Sequence, residues 1–441
     1  MSKEDPRATS SNSLIGKAQD SSDEAILSRS QDDVTQGESS SAWSSSHKAR
    51  KVYRTLQVHI VHRHGDRTPV TPLKDEAFWT TCLIPDKTLQ TIATNTELIH
   101  GDAPSNKFGK GVGAFGRLTE LGLVQMVKVG GRLRNELSTE VENHMTVDAA
   151  GNQHHAHVWR PDRPLHPSNI RIFSTDFPRT IESVQGLLVG LFPQGFPESI
   201  PIDTRNASWM MPDPIRLRMH TTKDSAQHSW TEKDEEMHQL GIKAALALRD
   251  MLGEGTNKMP INSFYVDGGD EVKQNPVAWI QLSEVTTCLM LRDRLPPGIT
   301  TEDRNAITQH AAKWSFELLR HPYMEMNTMV RRQVDDMMRH DSEAQPPVTV
   351  WSGHDFTLIG LMLAYKLEQP ALWPEYGSFL KLELLQVSHV EAGGETELVV
   401  RFSLNGERLR SACGGNGEFL DLVPLHILNQ EIPDEFIVEA S

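Results

Sequence analysis

The stretch that decides the fold is Thr55-Leu-Gln-Val-His-Ile-Val61, closely followed by Arg63-His64-Gly65-Asp66-Arg67-Thr68-Pro69. Apolar residues of the first part alternate and then run together, which predicts a strand that ends in a loop. In that loop two arginines flank His64, and guanidinium groups match phosphate oxygens in bidentate geometry. Gly65 permits a close approach of the backbone. An imidazole held between Arg63 and Arg67 is therefore a candidate nucleophile towards phosphorus.

A second strand–loop–helix pattern surrounds Ser174-Thr175-Asp176-Phe177-Pro178-Arg179-Thr180. Ile170 to Phe173 predicts the strand, and the apolar pattern up to Phe192 predicts the helix. We expect Asp176 to cap this helix and Pro178 to stand in its first turn. Arg179 then lies at a helix N-terminus, where unpaired N–H groups already attract anions. It is a candidate for a third phosphate-binding guanidinium, although such an arginine can also be simply exposed.

The third pattern is Ser352-Gly353-His354-Asp355, between a strand at Pro347 to Trp351 and a helix at Phe356 to Leu367. Asp355 is a candidate proton donor and His354 a further donor to phosphate, whereas an N-cap aspartate is the simpler explanation. All three patterns follow the carboxyl ends of apolar strands, where open α/β sheets bind their ligands. Together they predict one phosphate pocket.

These three motifs, in this order, resemble the histidine acid phosphatases, the RHGxRxP branch of the histidine phosphatase superfamily. Weaker similarity covers Gly116-Arg-Leu-Thr-Glu-Leu-Gly122, Leu295-Pro-Pro and Pro374-Glu-Tyr376, so the resemblance spans Gln57 to Leu425. It implies a three-layer α/β/α fold of the phosphoglycerate mutase type with an inserted, mostly helical cap.

The resemblance also implies a role for each motif residue. His64 attacks phosphorus and becomes phosphohistidine, and Asp355 protonates the leaving oxygen and then assists the attacking water. The phosphoryl oxygens are held by four further residues, namely Arg63, Arg67, Arg179 and His354. No metal or other cofactor is implied. Relatives usually carry an acidic or polar residue where this chain has Phe177-Pro178, so we expect the rim of the pocket to differ.

Composition divides the chain into three parts. Residues 1–50 are rich in Ser and acidic residues and predict a disordered tail, with a phosphorylation-controlled segment as the alternative. Residues 51–200 and 300–441 are assigned to the α/β core and residues 201–299 to the helical cap. Within these parts we expect helices at Leu118 to Leu137, Lys233 to Leu252 and, after a Thr300-x-x-Asp303 box, up to Leu319. A hairpin is expected from Phe379–Val387 and Glu397–Leu404.

The charge balance limits the partners. Forty-four Lys and Arg against 59 Asp and Glu give a net charge of −15, so the overall field does not favour nucleic acid or an acidic membrane surface. No apolar stretch reaches the ~20 residues that span a bilayer. A small phosphomonoester is the expected partner, and the oligomeric state stays open. The leaving group is open among lysophospholipids, phosphoproteins, sugar phosphates and inositol phosphates, a phytase-like role being less favoured by the acidic charge.

Location is predicted from the cysteines and the N-terminus. Cys82, Cys288 and Cys413 lie far apart without CxxC spacing, and Met1 to Arg50 contains no apolar region typical of a secretory signal. Both features favour the cytoplasm, with the secretory pathway open if the N-terminus is incomplete. An enzyme that depends on a protonated Asp355 is nevertheless expected to work best below neutral pH.

Three alternatives remain at this stage. The histidines from His154 to His166 could form a metal site, although a surface loop is favoured. The chain could be a non-catalytic phospholigand-binding pseudophosphatase, but both His64 and Asp355 are present. It could also be a phosphomutase of the same superfamily, whereas the RHGxRxP form and the His-Asp pair favour hydrolysis.

Overall fold

The centre of the fold is β1 (Lys51–Arg63), a strand in the middle of a large sheet in this computed structural model of the chain. Its side chains are buried on both faces, because Val58 and Ile60 pack to one side of the sheet and Val61 to the other. β1 pairs in parallel with β7 (Val348–Gly353) and antiparallel with β8 (Phe379–His389). The predicted first strand is therefore confirmed and extends further at both ends.

The sheet has nine strands and is mixed. Beyond β7, the strands β5 (Ile170–Thr175), β6 (Ile200–Arg205) and β2 (Thr96–His100) continue it in parallel. Beyond β8, the antiparallel strand β9 (Thr396–Leu404) pairs with β10 (Glu407–Leu409) and β11 (Val423–Pro424). The predicted hairpin is confirmed by the β8–β9 pair. A separate small hairpin joins β3 (Met145–Val147) to β4 (Gln153–His155).

The described helices are α1 (Glu76–Thr81), α2 (Asp86–Ala93), α3 (Glu120–Thr139), α4 (Pro178–Leu191), α5 (Glu232–Arg249), α6 (Trp279–Met290), α7 (Thr301–Arg320), α8 (Asp355–Ala364) and α9 (Leu425–Gln430). A short 3₁₀ helix covers Pro167–Asn169. The predicted box at the start of α7 is present, since Asp303 N–H donates to Thr300 Oγ1 at 3.1 Å and Thr300 N–H donates to Asp303 Oδ2 at 3.1 Å.

Helices cover both faces of the sheet, so the fold is the expected three-layer α/β/α arrangement. On one face α3 and α4 contribute Met126, Leu133 and Leu187 to a core shared with β1, β5 and β7. On the other face α8 contributes Leu358 and Met362 to a core that also contains side chains of α7 and α9. The second core also includes aromatic residues of the strands, namely Phe173, Trp351 and Phe402.

The predicted cap begins in the wrong place, because β6 starts at Ile200 and pairs with β5 and β2 inside the main sheet. An insertion can start only after Arg205. Helices α5 and α6 lie within the predicted cap and share a hydrophobic core with α7 and with Trp79 and Phe115. The assignment of a cap domain to this region stays a proposal.

The structure describes residues 51–100, 113–139, 145–147, 153–155, 165–196, 198–206, 210, 232–253, 278–320, 331, 348–368, 371–389, 396–414 and 417–430, all within one compact unit, Ala49–Ser441. The predicted tail lies outside these residues, as do residues 156–164 of the stretch from His154 to His166. Among the helices in this part of the chain, none is long and apolar enough to cross a membrane.

Candidate active site

The register of three parallel strands brings the three motifs to one edge of the sheet. Arg63 at the end of β1 lies beside Gly353 at the end of β7, and Ser174 of β5 lies beside Ser352 of β7. The loops that follow these strands therefore start at the same level. The ring centroids of His64 and His354 lie 5.6 Å apart, and Arg63 Nη2 lies 3.0 Å from Asp355 Oδ2.

The loop after β1 is held by close backbone packing against the start of α3. A Cβ on Gly65 would lie 2.3 Å from the carbonyl oxygen of Gly122, so no side chain fits at this position. The Gly65 N–H donates to Ser183 Oγ at 3.1 Å, and the Asp66 N–H donates to Gln125 Oε1 at 2.7 Å. The position of His64 is thus fixed by α3 and α4 together.

The hydrogen bonds of His64 determine its tautomer. Nδ1 lies 2.8 Å from the carbonyl oxygen of Gly65, and because a carbonyl can only accept, Nδ1 carries the proton. Nε2 then holds the lone pair. Burial lowers the pKa of His64 well below 6.5, and Arg179, Arg63, Arg67 and His354 lower it further. The ring is therefore neutral, with its nucleophilic nitrogen available.

Arg63 is fixed on three sides. Its Nη1 donates to the carbonyl of Pro374, its Nη2 pairs with Asp355, and its guanidinium carbon lies 4.1 Å from the centroid of the Tyr376 ring. Nε of Arg63 is buried without a hydrogen-bond partner among the described residues. A buried N–H of this kind favours an anionic ligand, because an unmade hydrogen bond is costly.

Arg179 stands in the first turn of α4, as predicted, but the helix is capped differently. The N-cap is Phe177 rather than Asp176, it makes no side-chain cap, and Pro178 is the first helical residue. Phe177 is only 1% exposed. Its ring lies 4.5 Å from the Arg179 guanidinium carbon and 5.0 Å from the His354 ring centroid. Phe177 therefore forms part of the inner wall beside two predicted phosphate-binding residues.

His354 is the N-cap of α8 and its Nε2 lies 3.0 Å from Thr175 Oγ1. Thr180 Oγ1 lies 3.0 Å from the Thr175 carbonyl and 2.8 Å from the Phe177 carbonyl, so its single proton points at a carbonyl. The Thr175 hydroxyl, 2.9 Å away, then donates to Thr180 and accepts from His354. His354 thus carries its proton on Nε2, and it can serve a phosphate only by sharing or giving up the bond to Thr175.

The comparisons with known proteins agree with this geometry. The family described as "Histidine phosphatase superfamily (branch 2)" matches residues 56–250, which contain the first two motifs. Over these residues the predicted resemblance to the histidine acid phosphatases is confirmed. Its fold resembles that of Hafnia alvei phytase in complex with tartrate, with a TM-score of 0.52 and 14% identity over 88% of this chain and 99% of the phytase.

Two similar relatives cover most of the chain. "Counting factor 60" of Dictyostelium discoideum is 26% identical over 74% of this chain and 75% of the relative. Human "Lysophosphatidic acid phosphatase type 6" is 24% identical over 78% of this chain and 76% of the relative. Together with the fold, these similarities support a phosphatase function, and the substrate is a separate question.

Sequence reasoning missed the acidic side of the site. Arg67 Nη1 pairs at 2.6 Å with Glu284 Oε1 of α6, and Arg292, just after α6, pairs at 2.7 Å with the fully buried Asp66. Glu284 and Cys288 lie one turn apart on α6, and Arg292 follows at the same spacing just after the helix; this spacing of four residues was the available signal. Nothing in it indicates that these residues meet the first motif. Cys288 Sγ lies 3.4 Å from the Arg67 carbonyl oxygen.

The proposed metal alternative gains no support from the described part of the chain, where no group of three His, Cys, Asp or Glu side chains could hold a metal ion. The three cysteines are free thiols. Burial and the charge of Glu284 raise the pKa of Cys288 to about 12, so this thiol stays protonated.

Proposed function

We propose that this phosphatase hydrolyses phosphate monoesters through a covalent phosphohistidine formed on Nε2 of His64. The observation that carries the proposal is the tautomer of His64. Its Nδ1–H is committed to the Gly65 carbonyl at 2.8 Å, so the lone pair stands on Nε2 of a neutral ring. Three arginines near the ring, Arg63, Arg67 and Arg179, supply positive charge for the phosphoryl group. Positioning and charge stabilisation of this kind account for most of the rate in phosphoryl transfer.

In the first step the ester phosphate binds to Arg63, Arg67 and Arg179. The Nε2 lone pair of His64 forms a bond to phosphorus while the bond from phosphorus to the leaving oxygen breaks. Asp355 gives its proton to that oxygen, so the product alcohol leaves neutral. Because Asp355 lies 3.0 Å from Arg63, a phosphate bound to the same guanidinium competes with the Asp355 carboxylate for it.

In the second step water attacks the phosphohistidine. The Asp355 carboxylate accepts a proton from that water, the bond between phosphorus and Nε2 breaks, and inorganic phosphate is released. His64 returns to its neutral form with the proton still on Nδ1. His354 supports both steps as a further donor to a phosphoryl oxygen, if the ligand draws its Nε2–H away from Thr175.

The decisive experiment traps the intermediate. The full chain is mixed with a radiolabelled phosphomonoester, quenched in alkali and digested, and the labelled peptide is identified. We expect label on His64 that is stable in alkali and lost in acid, and no label in His64→Ala. Turnover without labelled His64 would overturn the mechanism. Phosphate binding without turnover would support the pseudophosphatase, and transfer of label to an added alcohol rather than water would support the mutase.

The substrate is proposed at the level of its class, a small phosphomonoester. Because the mammalian relatives are named lysophosphatidic acid phosphatases, the first panel compares lysophosphatidic acid with a sugar phosphate, p-nitrophenyl phosphate and inositol hexakisphosphate. With a net charge of −15, we expect inositol hexakisphosphate to be the poorest of the four. A preference for it would overturn that ranking and leave the histidine mechanism unaffected.

The three free thiols support the cytoplasm as the proposed location. The net negative charge of the chain supports the proposal that nucleic acid is not a partner. A fluorescent fusion to the C-terminus, followed in cells, tests the location, and fluorescence confined to secretory compartments would contradict it.

A further inference from the structure

We propose that Glu284 of α6 is a positioning residue that holds the guanidinium of Arg67 with its remaining edge turned towards the substrate phosphate. The inference rests on the proposed function of the site, and it assigns a part of the phosphate-binding machinery to a helix far from the motifs in sequence.

The carboxylate of Glu284 is itself held in place. Its Oε1 accepts from the Val70 N–H at 2.7 Å and from Arg67 Nη1 at 2.6 Å, and Thr71 Oγ1 lies 3.5 Å from Oε2. The side chain is 12% exposed and that of Arg67 is 8% exposed. The backbone of the loop therefore fixes the carboxylate, and the carboxylate fixes the arginine of the same loop.

These contacts leave one edge of the guanidinium for a ligand. Nη1 of Arg67 donates both to Glu284 and to the Thr68 carbonyl at 3.1 Å, so this nitrogen is fully used. Nε is buried and has no hydrogen-bond partner in the described part of the chain. Because the group is planar, fixing Nη1 also fixes the direction of the edge formed by Nε and Nη2. A phosphate bound at that edge would accept both N–H groups in the bidentate manner.

The same helix face holds the rest of the loop. Cys288 Sγ lies 3.4 Å from the Arg67 carbonyl, and Arg292 pairs with Asp66 at 2.7 Å. Asp66, Arg67 and Val70 are therefore all held from α6 and the turn that follows it. Two neighbouring loop residues of opposite charge, Asp66 and Arg67, each meet a partner of the opposite charge here, Arg292 and Glu284. Simple coverage of the loop by a helix would not require these two ion pairs.

The charges support the assignment. Burial alone would lower the pKa of Arg67, but Tyr376, Glu284 and Cys288 raise it above its ordinary value. Arg179 differs, because burial and the charge of Arg67 lower its pKa to about 9. Tyr376 and Glu284 together thus favour the charged form of Arg67, so its guanidinium remains available to an anion.

Two conservative variants separate positioning from charge. Glu284→Asp keeps the charge but withdraws the carboxylate by one methylene, whereas Glu284→Gln keeps the reach and the acceptor oxygen but removes the charge. We expect Glu284→Asp to weaken the binding of inorganic phosphate about tenfold, the effect of one charge-assisted hydrogen bond, and Glu284→Gln to change it less than threefold. If Glu284 only reduced the positive charge of the site, Glu284→Gln would bind phosphate more tightly and Glu284→Asp would match the unaltered chain.

The experiment is titration calorimetry of the full chain with inorganic phosphate, followed by kinetics with p-nitrophenyl phosphate. Because Arg67 binds phosphate in the ground state as well, we expect KM to rise with little change in kcat. In an Arg67→Lys background Glu284→Asp should have no further effect, since an ammonium has no edge to orient. Glu383→Asp is the matched control, because Glu383 holds Arg401 at 2.7 and 2.8 Å in a comparably buried pair and should leave phosphate binding unchanged.

The outcomes distinguish this inference from the proposed function. An unaltered chain that neither binds phosphate nor turns over substrate would overturn both. An unaltered chain that does both, with Glu284→Asp binding phosphate equally well or losing affinity also in the Arg67→Lys background, would overturn the positioning role alone.

Discussion

The histidines inside β1 and those at the edge of the sheet are buried alike, yet their surroundings differ in charge. His59 and His62 lie within the strand, and burial lowers both pKa values to about 4, with a hydrogen bond to the Arg63 carbonyl acting against this at His62. Burial also lowers the pKa of His64 and His354, but here three arginines lower it further.

Because of this difference, the pKa values of His59 and His62 do not depend on a ligand, whereas the pKa of His64 does. Burial in a core persists whatever binds, so His59 and His62 stay neutral as long as the chain is folded. An anion bound among the arginines cancels their charge, so the pKa of His64 rises when phosphate binds. A histidine in the strand interior can stabilise or destabilise the fold, whereas one at the edge can also respond to the substrate.

The largest effect expected from this comparison is on turnover. His64→Ala should lower kcat/KM for p-nitrophenyl phosphate about 1,000-fold or more, because it removes the nucleophile. His59→Gln is the control, since a glutamine can replace the donor that His59 offers to Gln57 Oε1 at 3.2 Å. Its activity per folded molecule should equal that of the unaltered chain. A comparable loss in both variants would show that His59 and His64 both act through the fold only.

The second effect is on stability in acid. His59 and His62 have folded pKa values of about 4 against an ordinary 6.5, so between these values the unfolded chain binds more protons. The free energy of unfolding therefore falls as the pH drops through this window, by up to roughly 3 kcal/mol for each histidine. Urea midpoints at neutral and acid pH measure it, and His59→Gln should lose less stability in acid. An equal loss in that variant would contradict the assignment.

The third effect concerns the proton donor at the edge. Asp355→Asn should slow alkyl phosphates about 100-fold, because their leaving oxygen needs a proton, and p-nitrophenyl phosphate much less. The ratio of kcat/KM for the two substrates is the measurement, and it is insensitive to partial unfolding. An equal loss for both would remove Asp355 from the role of acid and leave it as a partner of Arg63 only.

The part of the site that could be predicted consists of residues next to a strand end. His64, Arg179 and Asp355 each follow a strand of the same parallel set, and such strands end at one edge. Local sequence therefore placed these residues together without knowledge of the rest. The three-layer fold was expected from the same strand–motif–helix order together with the resemblance to the histidine acid phosphatases.

The part that could not be predicted depends on contacts between distant segments. Glu284 lies on a helix whose sequence contains no motif, and only the packing of α6 against the first loop joins it to Arg67. The N-cap of α4 was assigned wrongly for a local reason. Asp176 has the better capping side chain. Its N–H, however, donates to the Arg205 carbonyl at 2.9 Å, so the extended backbone continues through Asp176 and the N-cap falls one residue later, at Phe177.

The smallest effect expected from the comparison of the strand and edge histidines is on the pH of the acid limb of kcat/KM. Neutral His64 is required for attack, and burial followed by the charges of Arg179, Arg63, Arg67 and His354 lowers its pKa well below 6.5. The acid limb of kcat/KM, which reports the free enzyme, should therefore lie below that pH. Because Asp355 is the proposed proton donor, the expectation of a bell-shaped profile with its maximum below neutrality stays a prediction. In kcat the acid limb should lie at higher pH, because bound phosphate offsets the arginines.

Two variants test whether the charge of Arg179 contributes to the position of the acid limb of kcat/KM. Arg179→Gln removes the largest charge contribution at His64, so the acid limb of kcat/KM should move to higher pH, whereas in His59→Gln it should stay. The measurement is kcat/KM for p-nitrophenyl phosphate from about pH 4 to about pH 8. A maximum at or above neutrality would contradict the acid optimum and leave the histidine mechanism standing. A limb that Arg179→Gln does not move would contradict the contribution of Arg179 to the pKa of His64.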